Sequence, residues 1–76
     1  MKLVKKESFT SLIKNIVGNK CHFTSTCEFF PNFNVKGLII SYYIKESELI
    51  FKMKTNSGKI IDIGSNMKEL KYEVIR

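Results

Sequence analysis

Cys21, His22, Cys27 and Glu28 are the densest gathering of metal-ligating and nucleophilic side chains in the chain. A structural zinc site wants four ligands in tetrahedral geometry, usually as two short paired spacings. Only three soft ligands exist here, and no second pair follows. Nucleophilic catalysis wants a nucleophile, a base within reach and a group that orients the base. Cys21 or Cys27 with His22 and Glu28 comes nearest to that pattern. Neighbours on a strand face opposite ways, however, so Cys21 and His22 should not meet. The other acids are scattered, and Gly18, Gly37, Gly58 and Gly64 are isolated, so no glycine-rich loop is present to cradle a phosphate. The expectation is a non-enzyme with reduced structural thiols, no metal, no cofactor and no small-molecule substrate.

The remaining chemistry is charge and aromatic surface. Thirteen basic residues against seven acids leave a net charge of +6, and the pI is near 9.5, a balance that suits an acidic partner. Twelve of the thirteen are lysine and the only arginine is Arg76, whereas base readers favour the planar fork of arginine. A chain rich in Lys, Ile and Asn with no alanine also has the look of AT-rich codon usage, which accounts for much of the lysine without any ligand. Two patches are more specific. Phe29, Phe30 and Phe33, clustered around Pro31, would cap the core or form an aromatic anchor for a partner. Tyr43 with Lys52, Lys54 and Lys59 would give a sheet face on which single-stranded nucleic acid could stack.

The elements that must position these groups are legible in the alternation of the second half. Leu38, Ile40, Tyr42 and Ile44 share one face of a first strand, with Ile39, Ser41, Tyr43 and Lys45 on the other. Leu49, Phe51 and Met53 continue the apolar face, followed by Ile61 and Ile63 and then Leu70, Tyr72 and Val74. Glu46-Ser47 marks one reversal, and Asn56-Ser57-Gly58 a three-residue turn with glycine at the left-handed position. Closing both turns sets Phe51 between Tyr42 and Ile63, Met53 between Ile40 and Ile61, and Lys52 between Ser41 and Asp62, and pairs Tyr43 with Ile50. The other face then shows Lys52 and Lys54 beside Tyr43, Ile39, Ile50 and Ile60. The expected core is Leu38, Ile40, Tyr42, Phe51, Met53, Ile61, Ile63, Leu70, Tyr72 and Val74.

Upstream, Phe9, Leu12, Ile13, Ile16 and Val17 recur at helical spacing, with Ser8 as N-cap and Gly18 just past the end. Cys21 to Thr26 is rich in strand formers and supplies a fifth strand. Residues 27–34 have no period and read as a loop or an edge, because Pro31 cannot donate to a ladder. Residues 1–7 are a tail or a short edge strand.

The fold class is therefore mainly β (α+β): a short amphipathic helix followed by a four- to five-stranded antiparallel meander in one domain spanning 1–76. In outline this order is similar to Sm-like and Src-homology-three-like small barrels. Lys36-Gly37 leads into a strand as a glycine does in the second Sm-like strand, and residues 65–69 resemble the helical turn before the last barrel strand. Glu46-Ser47-Glu48 and Ser57-Gly58-Lys59 lack the Asp/Asn and Arg-Gly patterns of that family's RNA-binding motifs, so the resemblance assigns no functional residue. The competing architecture is an open sheet with the helix on one face. The longest apolar run is too short to span a bilayer, and no secretory signal is visible, which points to the cytoplasm. The functional expectation is a non-catalytic module that binds a protein partner or self-associates, an adaptor or inhibitor of the kind mobile genetic elements carry. The alternative is a weakly sequence-specific nucleic-acid binder.

Overall fold

A single bend in one long strand organises the molecule. The computed structural model describes residues 1–27 and 30–76, without the side chains of residues 27, 30 and 31. Among these, β1 (Lys2–Leu3), α1 (Phe9–Ile16), β2 (Lys20–Cys27), β3 (Phe30–Lys45), β4 (Glu48–Thr55), β5 (Ile60–Gly64) and β6 (Lys71–Val74) follow in order. The strands form one antiparallel six-stranded sheet in the order β1-β6-β2-β3-β4-β5. The two edge strands, β1 and β5, do not pair with each other, so the sheet does not close into a barrel.

Phe23 on β2 lies across from Val35 of β3, and Phe51 on β4 lies across from Tyr42, seven residues further along β3. On a flat sheet that separation amounts to about 23 Å along the strand. The two ring centroids are 6.0 Å apart, and Phe23 also meets Tyr72 at 6.2 Å. The sheet is thus curled so that its halves face each other, and the bend falls between Gly37 and Ser41. A Cβ on Gly37 would sit 2.4 Å from the Lys54 carbonyl oxygen and 2.7 Å from Met53 Cγ, so only glycine allows the two backbones to approach this closely. The register then shifts between Ile39 and Ser41, and Ile40 is the extra residue of a β-bulge.

That bulge corrects the expected core. Beyond it the pairing is as read from the turns: Tyr42 with Phe51, Phe51 with Ile63, Lys52 with both Ser41 and Asp62, Tyr43 with Ile50, and Met53 with Ile61. Before it every side chain has changed face, so Met53 meets Ile39 instead of Ile40. Ile39 is fully buried, while Leu38 and Ile40 are exposed. Tyr42 keeps the inner face yet is also exposed, for a different reason. The pairing of β2 with β3 stops at Leu38, and only Gly18 and Asn19 continue it, at Ile39. Residues 40–45 therefore overhang the core. Phe51, Met53, Ile63, Leu70 and Tyr72 are buried as expected, with Ile61 and Val74 packed against them.

The helix is local in origin. Ser8 Oγ accepts from the Ser11 amide at 3.1 Å, and Gly18 takes φ +87° just beyond the last turn. Its apolar stripe delivers Leu12 and Ile16 into the core, with Ile13 and Val17 at the margin. So short a helix would not persist without that burial. The strand β3 starts at Phe30 and runs through Pro31, and residues 30–36 pair with β2 alone, so this stretch is an edge and not a loop. Residues 65–69 form two successive tight turns in place of a helical one, closed by Met67 N–H to Gly64 O and Leu70 N–H to Met67 O.

Single substitutions separate the bulge from simple alternation. Ile39→Ala should cost about 2–5 kcal/mol, the range for emptying a buried aliphatic site. Ile40→Ala should cost less than about 1 kcal/mol, as surface changes do. Chemical denaturation reads both, and the opposite order would mean that β3 runs without an extra residue.

The turn between β3 and β4 generates a second expectation. Glu46 and Ser47 both adopt positive φ, 51° and 65°, the type I′ geometry that asparagine and glycine tolerate with less strain. The Glu46→Asn/Ser47→Gly double variant should be more stable by about 1–2 kcal/mol. Its Tm should rise by at least about 4 °C.

Candidate interaction surface

The outer face of the sheet is built in rows across the strands. One row sets Lys20, Leu38, Lys54 and Ile60 side by side, and another sets Ser41, Lys52 and Asp62 together. Asp62 is the hub of the second row. Its Oδ2 accepts from the Tyr43 hydroxyl at 2.8 Å and its Oδ1 from Lys52 Nζ at 3.4 Å. Lys52 Nζ also lies 5.4 Å from the Tyr43 ring centroid. The hydrogen bond from Tyr43 holds the Asp62 carboxyl below its ordinary range, with Lys52 assisting, and the same bond pushes the Tyr43 phenol up.

Of the four residues expected to form a nucleic-acid groove, Tyr43 and Lys52 therefore meet, but around an acid. Lys54 is flanked by exposed Leu38 and Ile60, and Ile39, expected beside it, is inside. Lys59 sits past the turn, its N–H donating to Thr55 Oγ1 at 3.2 Å. Among the described residues Lys20, Lys36, Lys54 and Lys59 have no acidic partner, whereas His22 bridges Glu73 and Asn34. Of the phenylalanine patch, Phe33 packs half-buried against the core. Phe29 lies outside the described residues, as does the side chain of Phe30.

The surface that sequence reasoning missed is on β3 itself. Leu38, Ile40, Tyr42 and Ile44 are 38%, 45%, 43% and 55% exposed, four large apolar side chains along one strand. The two-residue turn makes Lys45 and Glu48 a hydrogen-bonded pair, so Tyr43 and Ser41 also aim their amides and carbonyls at β4. Tyr42 and Ile44 present theirs at the opposite edge, where no strand lies among the described residues. Gly37 was the available signal, since an isolated glycine within a strand pattern marks a bulge or close approach.

Of the group Cys21, His22, Cys27 and Glu28, Glu28 and the side chain of Cys27 lie outside the described residues, and the other two do not meet. Cys21 is inside and His22 outside, on opposite faces of β2. Burial pushes the Cys21 thiol up to about 11, which suppresses the thiolate at neutral pH. No cluster of three or more His, Cys, Asp or Glu side chains forms among these residues, and no helix is long and apolar enough to cross a membrane. A groove of about 590 Å³ between the two ends of the chain and α1 collects Lys2, Lys14, Arg76, Glu73 and two amides, Asn15 and Asn19. Tyr72 lines it too, but its hydroxyl donates to Glu7 Oε2 at 2.7 Å, and the Ser11 hydroxyl donates to Glu7 Oε1 at 3.2 Å. The chain matches no protein-family model, no curated protein and no solved structure.

Two buried acids give the stability a defined alkaline limb. Burial, followed by the bond to Glu7, pushes the Tyr72 phenol from 10.0 to about 12, and Cys21 rises from 9.0 to about 11. Folding favours the protonated form of each, so their contribution is complete below the unfolded values and is lost as pH rises through the folded ones. Urea midpoints should be level up to about pH 9 and fall from there towards pH 12. Cys21→Ala should delay the onset by roughly one pH unit. Tyr72→Phe should flatten the upper part of the limb and lower the neutral plateau by about 1.5–3 kcal/mol, the range for a bond to a charged group.

Proposed function

We propose that the protein is a non-catalytic interaction module that engages a protein partner through the second half of β3, in the manner of an adaptor or inhibitor. Exposed Tyr42 and Ile44, with Ile40 at the bulge, beside a strand edge unpaired among the described residues carry this reading. Apolar side chains in a row supply desolvation, and free backbone groups supply direction, the two ingredients of strand addition. The curl of the sheet supports reading the fold as an open small barrel, and the free thiol of Cys21 suits a reducing compartment such as the cytoplasm.

The nucleic-acid reading is second. It is favoured by Lys54, Lys20 and Lys36 on the outer face and Lys59 at the adjoining turn, none of which has an acidic partner among the described residues. It is opposed by Asp62, which puts a negative charge between Tyr43 and Lys52. A photo-crosslinking side chain placed at Ile44 or at Lys54 distinguishes the two in native lysate, with and without nuclease. Nuclease-resistant crosslinks to polypeptide from position 44, and none from 54, are expected. Crosslinks only from position 54 that nuclease abolishes would transfer the function to the lysine face.

A further inference from the structure

We propose that the partner of the β3 edge is a second copy of this chain, paired antiparallel about a two-fold axis at Tyr43. The inference rests on reading β3 as the docking surface and names what docks there. Tyr42 and Ile44 are the two residues whose backbone groups face the open edge. In the register that sets Tyr43 opposite its own copy, Tyr42 stands opposite Ile44 of the other copy, and Ile44 opposite Tyr42. Both are then hydrogen-bonded pairs, and four backbone bonds form at once. The same register places two tyrosines and two isoleucines, 43% and 55% exposed in the single chain, in one apolar cluster. A shift by one residue would aim the free groups of one copy at side-chain positions of the other.

Charge selects the same place. Each copy carries +6, so two copies repel over most of their surface. Residues 37–44 form the longest stretch of the chain without a charged side chain, and the proposed contact lies within it save for Lys45, which meets Ser41 of the other copy. A heterologous acidic partner would have been better served by the lysine rows of the outer face. The row of Ile39, already taken by Asn19, bounds the contact at one end and the Glu46-Ser47 turn bounds it at the other. So short an interface belongs to the weak class below about 1,200 Å².

Sedimentation equilibrium across concentrations of about 10 µM to 1 mM should show the mass climbing from 8.8 kDa towards twice that value. Half-association is expected on the order of 100 µM. Added salt should tighten the dimer, because it screens the repulsion between two like-charged copies. Ile44→Lys should hold the chain monomeric at every concentration while leaving its circular dichroism unchanged, and Leu38→Lys, off the edge, should leave the dimer intact. Amide exchange at Tyr42 and Ile44 should slow as concentration rises, and that at Leu49 should not respond. A wild-type mass fixed at 8.8 kDa, or a dimer indifferent to Ile44→Lys, overturns the self-pairing. Crosslinks from position 44 to other polypeptides, alongside a monomeric pure protein, would reject the self-pairing and preserve the docking reading. Their absence as well would reject both.

Discussion

Almost everything in this structure depends on β3 being able to turn back on itself between Gly37 and Ser41. Gly37 lets the β3 backbone close onto the carbonyl of Lys54, where any side chain would collide. The extra residue at Ile40 then adds local twist to the same place. Without this bend, Phe23 and Phe51 would lie on a flat sheet with no common neighbour. With it, they and Tyr72 form one aromatic cluster, and the rest of the core, from Val4 and Leu12 to Leu70, condenses around them. The connection over residues 65–70 is shaped by the curl. Ser65 continues β5 against Leu49 through two bonds, while the Lys68 carbonyl receives the buried Ser25 hydroxyl. The segment thus ties the β4 side of the curl to the β2 side, although no strand pairing joins the edges.

The bend also determines what is left outside. β2 follows β3 only to the bend, because its own course is set by β6 and by the helix that ends at Ile16. The β3 arm of the β3–β4 hairpin is then held from Ser41 to Lys45 by its ladder to β4 alone among the described residues, while Leu49 and Phe51 on the β4 arm stay in the core. Tyr42 and Ile44 retain the inner-face orientation of their strand, but among the described residues no layer covers them. On the outer side the same hairpin is held by Asp62, which gathers Tyr43 and Lys52 on its two oxygens. That exposed triad adds little stability, because solvent screens it. Its effect is on orientation: it fixes the Tyr43 ring against β4 and β5, and it neutralises the most central lysine of the face.

The legible parts of the fold were those governed by short-range rules. Ser8 and Gly18 bracket the helix because capping is chemistry within one turn of chain. Gly58 at φ +90° and the Lys52–Asp62 pair follow from turn length and a period of two. The inversion of Leu38, Ile39 and Ile40 has one physical source. A bulge adds one residue without altering the alternation on either side of it, so the sequence from Leu38 to Ile44 reads as one unbroken strand. Only the tertiary placement of Met53 decides that Ile39, not Ile40, is inside. Around Pro31 the choice between a loop and an edge resolves to the edge: proline forbids one donor, not a strand, and β3 runs through it paired with β2 alone. Of the candidate site, the Tyr43–Lys52 proximity was readable and the uncovered β3 edge was not, because exposure depends on where the neighbouring strand stops.

Sheet edges are usually defended, and here the defence is uneven. β1 is two residues long and carries Lys2, too short to template another strand. β5 is five residues long and sets Asp62 at its centre. Each is protected by a device that soluble sheets commonly use: brevity at one edge, charge at the other. The free edge of β3 has neither device. From Gly37 to Ile44 it has no charge and no proline, and it displays the largest exposed apolar side chains of the molecule's central strand. A lysine at position 40, 42 or 44 would remove the hazard at little cost to a core these residues do not enter, in a chain where lysine is otherwise abundant. Apolar residues at all three positions are therefore not explained by burial in the core, and the proposed docking at this edge is the reading they support.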